Sequence, residues 1–168
     1  MLHTLDAALS RIEETLIGLL LVAASFVLFI NVVARYGFND SLAWAEEITR
    51  YAIVWMVFLG GSVAARKGIH IGVDILARSL GDRPARRYLV ALVDSLCVAF
   101  GVFLVVFGGS LAAQAYEFGQ VTPALQVPLW TVQLAIPVGG ALMTLRFVQR
   151  LRANWTGHAE AVAAEMLG

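Results

Sequence analysis

The chain has 168 residues, with twelve Lys and Arg against twelve Asp and Glu, so its formal net charge is zero. It is 60% hydrophobic and only 14% charged, whereas a soluble domain is roughly 45–50% apolar and about 25% charged. A single soluble core cannot hide that much apolar surface, and lipid is the simpler solvent.

A helix crosses a bilayer with about 20 mostly apolar residues. Four stretches qualify, at about residues 16–34, 48–65, 88–113 and 129–147. They are too long for strands, and their connections lack hairpin chemistry. The sequence therefore predicts an all-α membrane protein of four transmembrane helices, with residues 4–151 as one domain and 152–168 as a tail.

Ahead of the first span, "TLDAALSRIEETLIGLL" places Leu5, Leu9, Ile12 and Leu16 at helical spacing, with Asp6, Arg11, Glu13 and Glu14 on other faces. The span that follows outruns a signal-peptide core, and no A-x-A-like cleavage site comes after it. The second span opens with "SLAWAEEITRY", which carries Glu46, Glu47 and Arg50 at the edge of the apolar run. Asp40 or Ser41 suits the N-cap, and the acids suit the positive helix end. Glu46 and Arg50 have the spacing and order of a helical ion pair. Trp44 and Tyr51 suit an interfacial aromatic belt.

The loop after the second span, "RKGIHIGVDILARSLGDRPARRYL", repeats Val73, Leu76, Ala77 and Leu80 at helical spacing. A short amphipathic helix on the membrane surface is expected there. The third span holds Asp94, an acid inside the membrane and so a candidate functional group. Its bland reading is a carboxylate near the boundary, paired with an arginine or a partner subunit. Cys97 reads as a small buried hydrophobe. In the fourth span Pro137 removes a backbone donor and predicts a kink.

Loop charge sets the orientation. Arg66, Lys67, Arg78, Arg83, Arg86 and Arg87 lie between the second and third spans, none lies in "QAYEFGQVTPALQVP", and Arg146, Arg150 and Arg152 end the fourth. The positive-inside rule puts both termini in the cytoplasm. Arg35 and Arg50 then face outward against that bias and require another explanation.

Catalytic chemistry is scarce. His3, His70 and His158 lie at the ends and in a loop, away from any bundle interior that would hold haem. No Cys/His metal spacing, phosphate loop or nucleophile motif appears. No catalytic, substrate or metal residues, no cofactor and no nucleic-acid partner are expected. Small residues are plentiful. Gly60 with Ala64, Gly61 with Ala65, the run from Gly108 to Ala113, and Gly139 with Gly140 offer faces for close helix approach, within the chain or against a partner.

Together these motifs resemble a known family. "ARYGFNDSLAWAEEITRYAIVWMVFLGGSVAARKGIHIGVDIL" is similar to the signature of the small, DctQ-type membrane subunit of tripartite ATP-independent periplasmic (TRAP) transporters. Arg35, Trp44, Glu46, Glu47, Arg50, Trp55, Gly60, Arg66, Gly68, His70 and Asp74 carry the match. "TPALQVPLWTVQLAIPVGGALMTL" resembles the family's final span, with Pro128, Trp130, Pro137 and Gly139. The likeness spans roughly Leu5 to Leu151.

The resemblance implies a bacterial inner-membrane subunit without enzymatic activity. A periplasmic protein captures an organic acid anion such as a C4-dicarboxylate, and a large permease carries it by symport, usually with sodium. The small subunit, in contact with membrane lipid, packs against the large one and helps dock the binding protein. Arg35, Trp44, Glu46, Glu47, Arg50, Gly60, Gly61, His70 and Asp94 are the candidate inter-helix or subunit contacts. The alternative is a self-sufficient proton-coupled exporter using Asp94 or Glu47.

Overall fold

The computed structural model describes residues 2–66 and 84–156. The expected interfacial helix, His70 and residues 157–168 of the tail lie outside the described residues. The described chain forms α1 (Leu2–Gly37), α2 (Ala43–Arg66), α3 (Pro84–Glu117), α4 (Leu129–Gln133) and α5 (Ala135–Thr156). Among the described residues four stretches are long and apolar enough to cross a membrane: Leu9–Gly37, Ala43–Arg66, Tyr88–Glu117 and Leu129–Arg152. These are the four predicted spans, each reaching a few residues further into polar sequence. Helical hydrogen bonding continues past the apolar run, because the next backbone groups still gain by pairing with one another.

The spans pack as a row in the order α1, α2, α5, α3, with α4 beside α3. Large side chains such as Leu19, Val22, Phe26 and Phe29 on α1, and Leu96, Phe103 and Phe107 on α3, are exposed. In lipid such faces lose nothing, because acyl chains are as apolar as leucine.

The inward side of α1 is a regular seam. Ser10, Glu13, Ile17, Leu20, Ala24, Val27 and Asn31 are buried or half-buried and alternate steps of three and four. That 3.5-residue repeat keeps one stripe against a neighbouring helix that crosses at a shallow angle. The apolar stripe read from the sequence lies elsewhere, since Ile12 and Leu16 are exposed.

Glycines set the approach of α5 to its two neighbours. A Cβ on Gly140 would stand 2.8 Å from the Leu104 Cβ and 3.0 Å from the Gly101 carbonyl oxygen. One on Gly139 would stand 2.6 Å from the Phe58 Cβ. Gly61 faces the Met143 sulfur, whereas Gly60 and Gly109 have open space. The small-residue faces are therefore divided. Gly101, Gly108, Gly139 and Gly140 are used inside the chain, and the Gly60–Ala64 and Gly109–Ala113 sides are left uncovered.

The fourth span is interrupted at Leu134, within one turn of Pro137, where the kink is expected. Pro137 has no N–H for the Gln133 carbonyl one turn earlier, so the ladder opens there. At the start of α2, neither Asp40 nor Ser41 caps the helix among the described residues. The Leu42 carbonyl accepts the first helical N–H groups, and the Leu42 N–H donates to Asn31 Oδ1 of α1 at 2.9 Å. Asn39 turns the chain with a left-handed backbone (φ 54°), a conformation asparagine tolerates.

Candidate functional site

Polar side chains gather at the two ends of the row. At one end, Glu47 of α2 is buried. Its Oε2 accepts the backbone N–H groups of Ala124 and Leu125, both at 2.8 Å, and its Oε1 accepts the Tyr51 hydroxyl. The loop it holds joins α3 to α4 and is itself tightly wound. Thr122 is fully buried, donates its N–H to the Val127 carbonyl at 2.9 Å, and accepts the Val127 N–H on Oγ1 at 3.1 Å. Gly119 and Gln126 turn it with positive φ, and the Leu129 N–H closes on the Gln120 carbonyl at 2.9 Å. Two adjacent backbone donors converging on one carboxylate make an anion-binding nest filled from within the chain.

This clasp gives a direct expectation. Glu47→Ala frees the 118–128 loop, so limited proteolysis within it is expected to accelerate about tenfold or more while the spans stay protected. An unchanged cleavage rate, followed by mass spectrometry of the fragments, would show that the loop holds itself.

At the opposite end the network reaches all four spans. Glu13 of α1 and Arg146 of α5 are almost fully buried, at 2% and 1% exposure. Glu13 Oε1 accepts the Ser62 hydroxyl of α2 at 3.2 Å, and Arg146 Nη2 lies 3.8 Å from Glu13 Oε2. The same Nη2 donates to Ser10 Oγ at 3.1 Å. Arg66 of α2 pairs with Glu14 of α1 at 2.6 Å. Asp94 of α3, fully buried, faces Arg150 of α5 with Oδ1 3.6 Å from Nε.

The sequence-derived candidates distribute as follows. Glu47 ties α2 to the distant loop, and Asp94 ties α3 to α5. Arg35, Glu46 and Arg50 are exposed and line one groove between α1 and α2. Among the described residues none of the three forms an ion pair, so the Glu46–Arg50 pair suggested by spacing is not made. Trp44 is exposed beside them, and Gly60 and Gly61 are half-buried on α2. Sequence reasoning missed Glu13, Asn31 and Arg146 as contact residues. Arg146 is buried where Glu13 and Ser10 on α1 offer it oxygen ligands.

The chain matches the family described as "Tripartite ATP-independent periplasmic transporters, DctQ component" over residues 14–157. It belongs to that family. The C4-dicarboxylate TRAP transporter small permease protein DctQ of Rhodobacter capsulatus is 30% identical, over 84% of this chain and 75% of its own. The protein of the same description from Vibrio cholerae is 34% identical over 91% and 75%. The sialic acid TRAP transporter permease protein SiaT of Haemophilus influenzae is 29% identical over 88% of this chain but only 23% of its own length. This DctQ-type chain is a multi-pass protein of the inner membrane and a transporter subunit rather than an enzyme.

Proposed function

We propose that this small TRAP permease subunit is a scaffold that packs against a large permease and helps dock a periplasmic binding protein. The cargo is an organic acid anion, such as a C4-dicarboxylate or a related carboxylate, taken up with sodium. The observation that carries this reading is the match to SiaT. Most of this chain aligns with a minor segment of a much longer permease polypeptide, as expected if the four-span unit works in contact with the remainder. The uncovered Gly60–Ala64 and Gly109–Ala113 sides and the exposed apolar faces of the row supply surface for such contact.

In this reading residues 4–151 form the membrane unit and 152–168 a cytoplasmic tail. Loop charge supports cytoplasmic termini, and with them a periplasmic Glu47 clasp and loop. A loop held firmly by a buried acid is suited to meet the binding protein there. The acids an exporter would use are engaged elsewhere, Glu47 with backbone donors and Asp94 with Arg150.

The test is uptake of labelled C4-dicarboxylate into proteoliposomes under an inward sodium gradient, with each subunit omitted in turn. Uptake is expected only when both membrane subunits and the binding protein are present. Uptake by this chain alone would revive an exporter, and full uptake without it would end the scaffold reading.

A further inference from the structure

The groove between α1 and α2 at the Glu47 end has about 490 Å³ of space, within the roughly 300–1,000 Å³ of small-molecule sites. Its lining is graded. On α1, Leu28, Val32 and Arg35 follow one another along a single face toward the helix end. On α2, Glu46, Arg50 and Ile53 run the opposite way in depth, charged first and apolar below. Both helices thus present guanidinium at the membrane boundary and hydrocarbon beneath it. Arg35 and Arg50 are exposed and form no ion pair among the described residues.

We propose that this groove binds one anionic phospholipid, its phosphodiester held by Arg35 and Arg50 and an acyl chain lying on Leu28, Val32 and Ile53. Guanidinium groups grip phosphate oxygens through paired, charge-assisted hydrogen bonds. Basic pockets between membrane helices take anionic headgroups for the same reason. A free phosphate satisfies the arginines but not the apolar floor, and a neutral lipid satisfies the floor but gains less from two cations. Glu46 on the rim opposes the anion and weakens the site without abolishing its net positive charge. The groove also accounts for two arginines on the side of the membrane that the charge bias disfavours.

The full chain, purified in mild detergent and stripped of lipid, is titrated with short-chain phosphatidylglycerol, with phosphatidylcholine of the same chains, and with glycerol 3-phosphate. Bound species are counted by native mass spectrometry. One phosphatidylglycerol is expected to bind about tenfold more tightly than phosphatidylcholine, and glycerol 3-phosphate not at all. R35Q/R50Q is expected to erase the preference, R35K/R50K to retain part of it, and E46Q to strengthen phosphatidylglycerol binding several-fold. Equal phosphatidylglycerol binding by wild type and R35Q/R50Q would overturn the proposal, as would equal binding of glycerol 3-phosphate. E46Q keeps the test decisive if the double variant fails to fold, since an unchanged affinity there also sinks it. Cross-linking of R35C to the large permease in the assembled complex, with no phosphatidylglycerol retained, would make the groove a protein interface instead.

Discussion

Glu13→Ala is expected to destabilise the four-span fold by about 3–5 kcal/mol, the usual cost of removing one member of a buried charge pair. The carboxylate accepts from Ser62 and faces Arg146, so one side chain joins α1 to both α2 and α5. Alanine deprives a nearly fully buried guanidinium of its acid. Denaturant unfolding in micelles measures the loss. Arg146→Ala alone is expected to cost a similar amount. The double variant is expected to cost clearly less than the sum, because neither charge then remains buried against an absent partner. Strict additivity would show that Glu13 and Arg146 do not act as a pair.

Gly140→Leu is expected to separate α5 from α3 and to cost about 1–3 kcal/mol or more through overpacking. The obstructing atoms are the Leu104 Cβ, the Gly101 carbonyl oxygen and the Val105 nitrogen. All are on or next to backbone, so no flexible side chain can swing aside to make room. Gly109→Leu is the matched control. Its Cβ would meet nothing within 4 Å, so the isolated chain is expected to unfold as wild type does. In the proposed scaffold role the same change instead weakens association with the large permease, read by co-purification. An isolated chain that tolerates Gly140→Leu as easily as Gly109→Leu would refute the glycine-set crossing.

The four spans were legible because hydropathy over a long window reports the solvent directly, and here the solvent is lipid. Which side of each span faces inward was less legible. In water the apolar stripe of a helix turns to the core, and Leu5, Leu9, Ile12 and Leu16 formed such a stripe. In lipid that rule loses its force. Ser10, Glu13 and Asn31 turn inward because the rest of the chain offers hydrogen-bond partners, on other helices and at Leu42, and acyl chains offer none. Arg146 looked like a terminal basic residue of the kind that fixes orientation, and only the packing of α5 beside α2 brings it to Glu13. Glu47 was visible as a charge at a boundary. Its partners are backbone N–H groups of Ala124 and Leu125, which carry no side-chain signal, and they lie in a loop far along the chain.

Glu13 and Asn31 lie on one stripe of α1 about five helical turns, or about 27 Å, apart. Each is fastened beyond its own helix, Glu13 to Ser62 of α2 and Asn31 to the Leu42 N–H just ahead of α2. The distance between the fastenings is close to the roughly 30 Å of a bilayer's hydrocarbon core. The helix row therefore carries an internal gauge of membrane thickness. In a bilayer of matching depth the Glu13 contact sits near one water boundary and the Asn31 contact about one turn below the other, which Arg35 marks. A thicker one draws at least one of them toward hydrocarbon, and the row, pinned at both ends, answers by tilting as a unit or by thinning the lipid around it.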